Sequence, residues 1–270
     1  MITLQQILRS QSDILENARV KIVRHKDGRA EYRDAMKDKA ALTEYQRTQA
    51  KPVFSDCDYI VCFMGLERRR SLLFGVFKVG DCQPFNGRSH DYNLELIPEF
   101  DALVDRLVID WGNNAIAWHQ WYHAQPKEVV EILPRGYIGN FPGLLNFVLD
   151  FKEMKQMLDN PDANAQWRHH LSAVNGVYMI LDDRTGTQYV GSACGKDGIW
   201  QRWTDYARSS GTGGNKELKA LMEKDPVYHR HFRFSILQTL PSNITRDEIV
   251  AIENLYKSKL GSRFHGLNRN

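Results

Sequence analysis

Five residues in the later part of the chain carry side chains suited to work on a phosphate: Tyr178, Tyr189, Arg202, Tyr206 and Glu253. The two strand tyrosines lie in the strings Gly176-Val177-Tyr178 and Tyr189-Val190-Gly191, a hairpin apart. Arg202 offers a planar fork that donates two hydrogen bonds to a phosphate and stays charged at any working pH. Tyr206 follows it by four, so a helix would carry both on one face. Glu253 is a carboxylate that can reach a Mg²⁺ ion held jointly with a substrate phosphate and several waters. Phenols, a guanidinium and a lone carboxylate together suit phosphodiester chemistry.

Each residue also has an ordinary explanation. A tyrosine in a strand is most often a core or edge aromatic. A lone arginine on an amphipathic helix is usually solvated. Glu253 can pair with Lys257 at i+4, worth about 0.2–0.5 kcal/mol. The set in its order, rather than any member, carries the functional reading.

The elements that must position these groups are legible as patterns. Val177 to Leu181 and Gln188 to Ser192 read as a hairpin joined by the polar loop Asp182 to Thr187. A helix from Gly198 to Arg208 would pack Ile199, Trp203 and Ala207 on the sheet and present Arg202 and Tyr206 on another face. After the turn Gly211-Thr212-Gly213-Gly214 come a short helix, Lys216 to Lys224, and a third strand, Phe232 to Leu237. Thr245-Arg246-Asp247-Glu248 has the spacing of a capping box. The helix it opens would bury Ile249, Ile252, Leu255, Tyr256 and Leu260 and stop at Gly261. The order is β-β-α-α-β-α.

This set resembles the GIY-YIG nuclease family over roughly residues 170–270. The two name strings stand as Gly176-Val177-Tyr178 and Tyr189-Val190-Gly191, with valine for isoleucine in each. The family's helix arginine matches Arg202, and the hydroxyl-bearing residue one turn later matches Tyr206. Its metal-ligating glutamate matches Glu253, and its late asparagine matches Asn268, with Asn270 as a second candidate. The resemblance implies a three-stranded antiparallel sheet flanked by helices, and hydrolysis of a DNA phosphodiester with Mg²⁺ or Mn²⁺. Tyr178 would act as the base or position the water, Arg202 would neutralise charge on the phosphoryl oxygens, and a metal on Glu253 would stabilise the departing oxygen. Tyr189 and Tyr206 would bond the phosphate or the water, and Asn268 would help hold the glutamate or the phosphate. A free phenol has a pKa of about 10, so Tyr178 could ionise near neutrality only with help from the cation and the metal.

Other residues compete weakly. Lys196, before the helix, could join the site or be a solvated loop residue. Gly211 to Asn215 lacks the lysine and placement of a P-loop and reads as a turn. His229 and His231 lack further ligands at fixed spacing. Four cysteines, Cys57, Cys62, Cys82 and Cys194, form no CxxC pair, so reduced thiols are expected.

The preceding part of the chain carries no recognised motif. Residues 1–50 read as helical, including the charged stretch Tyr32 to Gln49, ended by Pro52. Tyr59 to Met64 and Ser71 to Val79 read as a hairpin, and Leu103 to Trp111, Ala115 to Trp121 and Glu128 to Leu133 as further strands. Phe147 to Leu158 reads as a helix and Asp159 to Asn164 as a linker. Two domains follow: a β-rich α+β domain over 1–160 that would recognise DNA, and a catalytic domain over 170–270. Arg68-Arg69-Arg70 could grip phosphates. Trp111, Trp118, Trp121 and Tyr122, with His119 and His123, are either core aromatics or a pocket for an extruded base.

Composition sets the remaining bounds. At 270 residues and 42% hydrophobic, the chain has room for two ordinary domains. Net charge is only +3, but residues 1–170 carry 22 basic against 23 acidic side chains and the remainder 14 against 10. The basic excess lies where the phosphate-binding set lies. With no leader-like N-terminus and no long apolar run, a cytoplasmic protein of bacterial or phage-related origin is expected, with double-stranded DNA as partner and no membrane. One site per chain makes a homodimer on DNA, or two sequential nicks, the route to a double-strand break. Restriction or phage defence is the leading role; a repair nuclease acting on lesions or branches, and a binding protein without catalysis, are the alternatives.

Overall fold

Val20 to His25 carries charged side chains at Lys21 and Arg24, yet all six of its residues are buried in a strand (β1). Burial is tolerated because each charge finds polar partners: Lys21 reaches Asp56 at 2.5 Å and the Val53 carbonyl at 2.6 Å, and Arg24 donates to the Arg68 carbonyl at 2.9 Å. This comes from a computed structural model that describes residues 1–26, 39–113 and 117–268. The chain divides into two compact units, Met1–Leu133 and Pro134–Asn270, and is mixed α+β. Among the described residues no helix is long and apolar enough to cross a membrane.

In the first unit, helices Leu4–Arg9 (α1) and Lys39–Arg47 (α2) accompany eight strands among the described residues. After β1 these are Thr48–Gln49 (β2), Tyr59–Gly65 (β3), Arg70–Phe85 (β4), Ser89–Leu96 (β5), Leu107–Asp110 (β6), His119–Trp121 (β7) and Val129–Ile132 (β8). The order runs β2-β5-β4-β3-β1-β7, with β6 pairing β4 and β8. β1 and β3 are parallel, whereas β3 and β4 form the expected antiparallel hairpin. Strand alternation sends Val61 and Phe63 to one apolar cluster, with Leu4, Ile22 and Trp111, and Ile60 and Cys62 to another, with Phe54, Phe77 and Tyr92.

The largely helical expectation for residues 1–50 is therefore corrected by β1, and the pre-Pro52 helix ends at Arg47. Residues 32–38 of the charged stretch, and Ala115 and Ile116 of a proposed strand, lie outside the described residues. Cys57 and Cys62 are buried, Cys82 is partly buried and Cys194 is exposed, all as free thiols.

The second unit holds strands Leu149–Asp150 (β9), Asn175–Asp182 (β10), Gln188–Ala193 (β11) and Phe232–Leu240 (β12). Its helices are Phe151–Asp159 (α3), Ala165–Ser172 (α4), Gly198–Arg208 (α5), Lys216–Lys224 (α6) and Arg246–Lys259 (α7). The sheet order is β11-β10-β12-β9, antiparallel throughout. It has four strands among the described residues rather than the three expected, because the two residues of β9 pair with Arg233 and Phe234. The turn chemistry of 159–164 joins α3 to α4 inside this unit, and the division between units falls at Leu133/Pro134.

Two faces of this sheet are covered. Tyr178, Ile180, Tyr189 and Ala193 pack with Ile199, Trp203 and Tyr206 of α5, while Val177 and Val190 pack on the other face with Ile249 of α7. The capping box is present, with Thr245 Oγ1 accepting from the Glu248 N–H at 3.3 Å and Glu248 Oε2 from the Thr245 N–H at 2.9 Å. The buried side of α7 is narrower than its sequence indicated: Ile249 is buried, but Leu255 is 51% and Leu260 38% exposed.

Candidate active site

On the α5 face, three side chains meet. Tyr178, in the central part of the sheet, and Tyr206, on α5, are both fully buried, and their hydroxyls lie 3.1 Å apart. Arg202 donates from Nε to the Tyr178 hydroxyl at 3.0 Å and from Nη2 to the Tyr206 hydroxyl at 3.4 Å. Its guanidinium also lies over the Tyr206 ring, 4.8 Å from the centroid. The Tyr189 ring stands 6.5 Å from that of Tyr206, and its hydroxyl makes no hydrogen bond among the described residues.

Arg202 has only phenols as polar side-chain partners; no carboxylate pairs with it among the described residues. Burial alone would lower its pKa, but Tyr178 and Tyr206 outweigh that effect and it remains a cation. Nη1 makes no hydrogen bond among the described residues, so a donor remains for an incoming anion. Burial pushes the Tyr178 phenol up, Tyr189 adds to the rise, and Arg202 and Tyr206 offset only part of it. Burial likewise raises Tyr206. Tyr178 is therefore a neutral phenol near pH 7, able to donate a hydrogen bond but not to serve as a ready phenolate.

Two glycines make room for these rings. A Cβ added at Gly191, the cross-strand neighbour of Tyr178, would lie 2.4 Å from the Tyr178 hydroxyl oxygen and 2.9 Å from the Tyr189 ring. At Gly213, which has φ of +52°, a Cβ would lie 2.3 Å from the Tyr206 ring. The Gly211–Gly214 turn thus packs against the site, and its glycine serves a ring rather than a phosphate.

Glu253 does not bond to this trio. It lies on the α7 face, where its Oε2 accepts from the Ser192 hydroxyl and its Oε1 pairs with the Lys257 ammonium at 2.7 Å. The two side chains are only 16% and 4% exposed, so the pair is more enclosed than a solvated i+4 pair. Ser192 follows Gly191 directly, so the phenol–arginine cluster and Glu253 flank the same end of β11 from opposite faces.

Asn268 touches neither group. Its side-chain amide clamps one residue of β11, accepting from the Val190 N–H at 2.8 Å and donating to the Val190 carbonyl at 2.8 Å. The Leu267 N–H adds a bond to the Gln188 carbonyl at 2.8 Å, so this late segment runs beside residues 188–190 of the strand. Asn270 lies outside the described residues.

Mg²⁺ takes oxygen ligands, often one or two carboxylates with water and phosphate completing its shell. Among the described residues no group of three or more His, Cys, Asp and Glu comes together to hold a metal alone. Glu253 provides one carboxylate with a serine hydroxyl beside it, and this carboxylate already holds one positive charge, the Lys257 ammonium. The donor set fits a Mg²⁺ or Mn²⁺ ion on condition that Lys257 releases Oε1.

Lys196 is exposed. His229 lies against the Phe151 ring, with centroids 4.3 Å apart, and His231 Nδ1 is 3.3 Å from Asp183. In the first unit, Arg69 pairs with Asp110 at 2.9 Å and Arg70 with Glu131, which neutralises two of the three clustered arginines. Trp111 and Tyr122 are core residues, whereas Trp121 is exposed, so the aromatic stretch does not converge on one pocket. Ser192 and the glycine slots are the contributions that sequence reasoning missed. Alternation puts Ser192 on the Val190 face, but that the glutamate helix covers that face is a tertiary fact that strand alternation does not give.

No protein-family model matches the chain, and no curated protein matches it. Among solved structures, the catalytic domain of intron endonuclease I-TevI, in a mutant form, aligns at 25% identity over 36% of this chain and 94% of that one, with a TM-score of 0.30. The catalytic domain of homing endonuclease I-TevI aligns at 26% identity over 35% and 96%, with a TM-score of 0.27.

Proposed function

We propose that the second unit is a GIY-YIG type catalytic domain and that the chain is an endonuclease hydrolysing DNA phosphodiester bonds, in a restriction or phage-defence role. The observation that carries this is Arg202: a largely buried guanidinium ringed by phenols, with no counter-carboxylate among the described residues. Such a group favours an incoming anion, and the two non-bridging oxygens of a phosphodiester suit its fork.

In the proposed reaction the scissile phosphate sits at the Gly191–Ser192 end of β11. Arg202 neutralises charge that develops on the phosphoryl oxygens. Tyr178, held neutral by burial, orients the attacking water or a phosphoryl oxygen through its O–H, and Tyr206 fixes the Tyr178 hydroxyl. Tyr189 supplies a second hydroxyl from β11. Glu253 and Ser192 would hold a Mg²⁺ or Mn²⁺ ion, which when bound would stabilise the departing oxygen. Asn268 acts indirectly, by fastening the strand that bears Tyr189, Gly191 and Ser192. The first unit would recognise the DNA, and two chains would meet on it for a double-strand break.

The test is digestion of unmodified and cytosine-modified phage DNA with Mg²⁺, followed by sequencing of the ends. Paired cuts at fixed sites on linear duplex support restriction. Cutting confined to damaged or branched DNA supports repair, and no cutting of any substrate defeats the nuclease reading.

A further inference from the structure

Ser209 caps the C-terminus of α5, on the helix face that carries Arg202 and Tyr206. A serine hydroxyl has one hydrogen to give and lone pairs to accept with, and Ser209 uses both functions. The hydrogen goes to the Asp205 carbonyl at 2.6 Å, the usual back-bond of a helical serine, and the oxygen accepts the Gly213 N–H at 2.7 Å. Ser172, the last residue of α4, makes the same back-bond, to the Arg168 carbonyl at 2.6 Å, but its hydroxyl accepts no hydrogen bond among the described residues. The accepted bond is what sets Ser209 apart. It reaches a turn in which Ser210, Gly211, Gly213 and Gly214 all have positive φ, from +52° to +91°. That conformation is costly at Ser210, which has a Cβ, so bonds back to the helix must hold the turn. Among the described residues the Gly211 N–H reaches the Tyr206 carbonyl at 2.8 Å, the Thr212 N–H the Ser209 carbonyl at 3.2 Å, and the Gly213 N–H the Ser209 hydroxyl. Only the last depends on a side chain.

Gly213 is also where the turn meets the site. Its backbone lies so close to the Tyr206 ring that an added Cβ would come within 2.3 Å of it. The Tyr178 and Phe234 rings also stand against that ring, each with its centroid 5.9 Å away. The Tyr206 hydroxyl in turn lies 3.1 Å from that of Tyr178 and 3.4 Å from Arg202 Nη2. Contacts therefore run unbroken from the Ser209 hydroxyl, through the Gly213 backbone and the Tyr206 ring, to the Tyr178 hydroxyl. We propose that Ser209 is a positioning residue: by holding Gly213 against the Tyr206 ring, it sets the Tyr206 and Tyr178 hydroxyls in register with the Arg202 guanidinium. It touches no substrate atom. Without its hydroxyl Gly213 can withdraw, the Tyr206 ring gains room to tilt, and Tyr178 loses a fixed partner. Misplacement of reacting groups slows the chemical step, whereas DNA affinity is carried by other contacts. The effect on cleavage rests on the nuclease function proposed above; the hold on Tyr206 does not.

Wild type, Ser209→Ala, Ser209→Thr and Ser172→Ala are compared as full-length chains in single-turnover cleavage over a range of protein concentrations. Ser209→Ala should lower the rate at saturation about tenfold while the half-saturating concentration stays the same. Ser209→Thr keeps the hydroxyl and should recover most of the rate, and Ser172→Ala should match wild type. Nitration by tetranitromethane, mapped by mass spectrometry, reads Tyr206 without any substrate. Tyr206 is fully buried and should react several-fold faster in Ser209→Ala than in wild type or Ser209→Thr, while Tyr122, a core residue of the first unit, reacts as before. Cleavage by Ser209→Ala at the wild-type rate, a loss confined to half-saturation, or a loss that Ser209→Thr does not recover overturns the proposal. So does Tyr206 nitration unchanged in Ser209→Ala. Failure of the nuclease reading looks different: wild type leaves DNA intact, and Tyr206 nitration in the Ser209 variants still decides whether Ser209 holds that ring.

Discussion

Arg202 directs its Nε–H at the Tyr178 hydroxyl, 3.0 Å away, from a helix packed over the strand that bears the phenol. A cation this close would favour a phenolate, yet burial of Tyr178 outweighs it and the phenol keeps its proton. The balance makes Tyr178 a hydrogen-bond donor in the free protein.

This has a pH signature. If Tyr178 worked as a phenolate, log rate would climb with pH across the neutral range; as a neutral donor it adds no inflection below about pH 10. A rate profile that is flat in this respect is expected, and a unit slope lost in Tyr178→Phe would contradict it. Stability has a matching sign. Tyr178 and Tyr206 have folded pKa values raised above the unfolded value, so their contribution is complete below about pH 10 and lost as pH rises beyond it. Denaturation midpoints should fall above that pH, and less steeply in Tyr206→Phe.

Gly191→Ala tests the slot over Tyr178. Its backbone does not need the left-handed region; the obstacle is the phenol oxygen 2.4 Å from the new methyl. Urea melts should show a loss of about 1–3 kcal/mol from overpacking. Cleavage should drop about 100-fold through displacement of the phenol. Unchanged cleavage would mean that the Tyr178 hydroxyl position is irrelevant.

Asn268→Ala should behave as a structural lesion. Both Val190 backbone groups lose their partner, which costs about 2–4 kcal/mol in chemical denaturation. Asn268→Asp retains only the acceptor and should also destabilise. A fully stable Asn268→Ala protein that has lost cleavage would instead place this residue in the chemistry.

Lys257→Met should tighten divalent-ion binding to DNA-free protein, because the ammonium occupies Glu253 Oε1. Calorimetry with Mn²⁺ is the readout, and about tenfold is expected for removing a charge-assisted contact of about 1.4 kcal/mol. Weaker Mn²⁺ binding in the variant would show that Lys257 supports the ion rather than excluding it.

How far the sequence reveals this molecule depends on where its interactions are local. The hairpin strands, the helix Gly198–Arg208 and the Thr245 capping box follow from alternation, helical spacing and adjacent polar residues, and the structure has each of them. β1 was hidden because Lys21 and Arg24 break its apolar pattern, and their partners lie 32 to 46 residues away. β5, Ser89–Leu96, carries polar residues and earns its place by pairing with the long β4. At the site, the phenol–arginine contacts follow from i+4 spacing and strand order. That Glu253 faces Ser192 across the other side of the sheet depends on which face α7 covers, a tertiary fact that no local pattern encodes.

The central claim is that the Arg202–Tyr178 pair performs phosphodiester cleavage. Its most direct test is single-turnover cleavage of DNA by wild type, Tyr178→Phe and Arg202→Lys with Mg²⁺ in excess, alongside duplex affinity for each. Both variants should bind DNA as wild type does and cleave at least about 100-fold more slowly. Cleavage by either variant at the wild-type rate would contradict the claim.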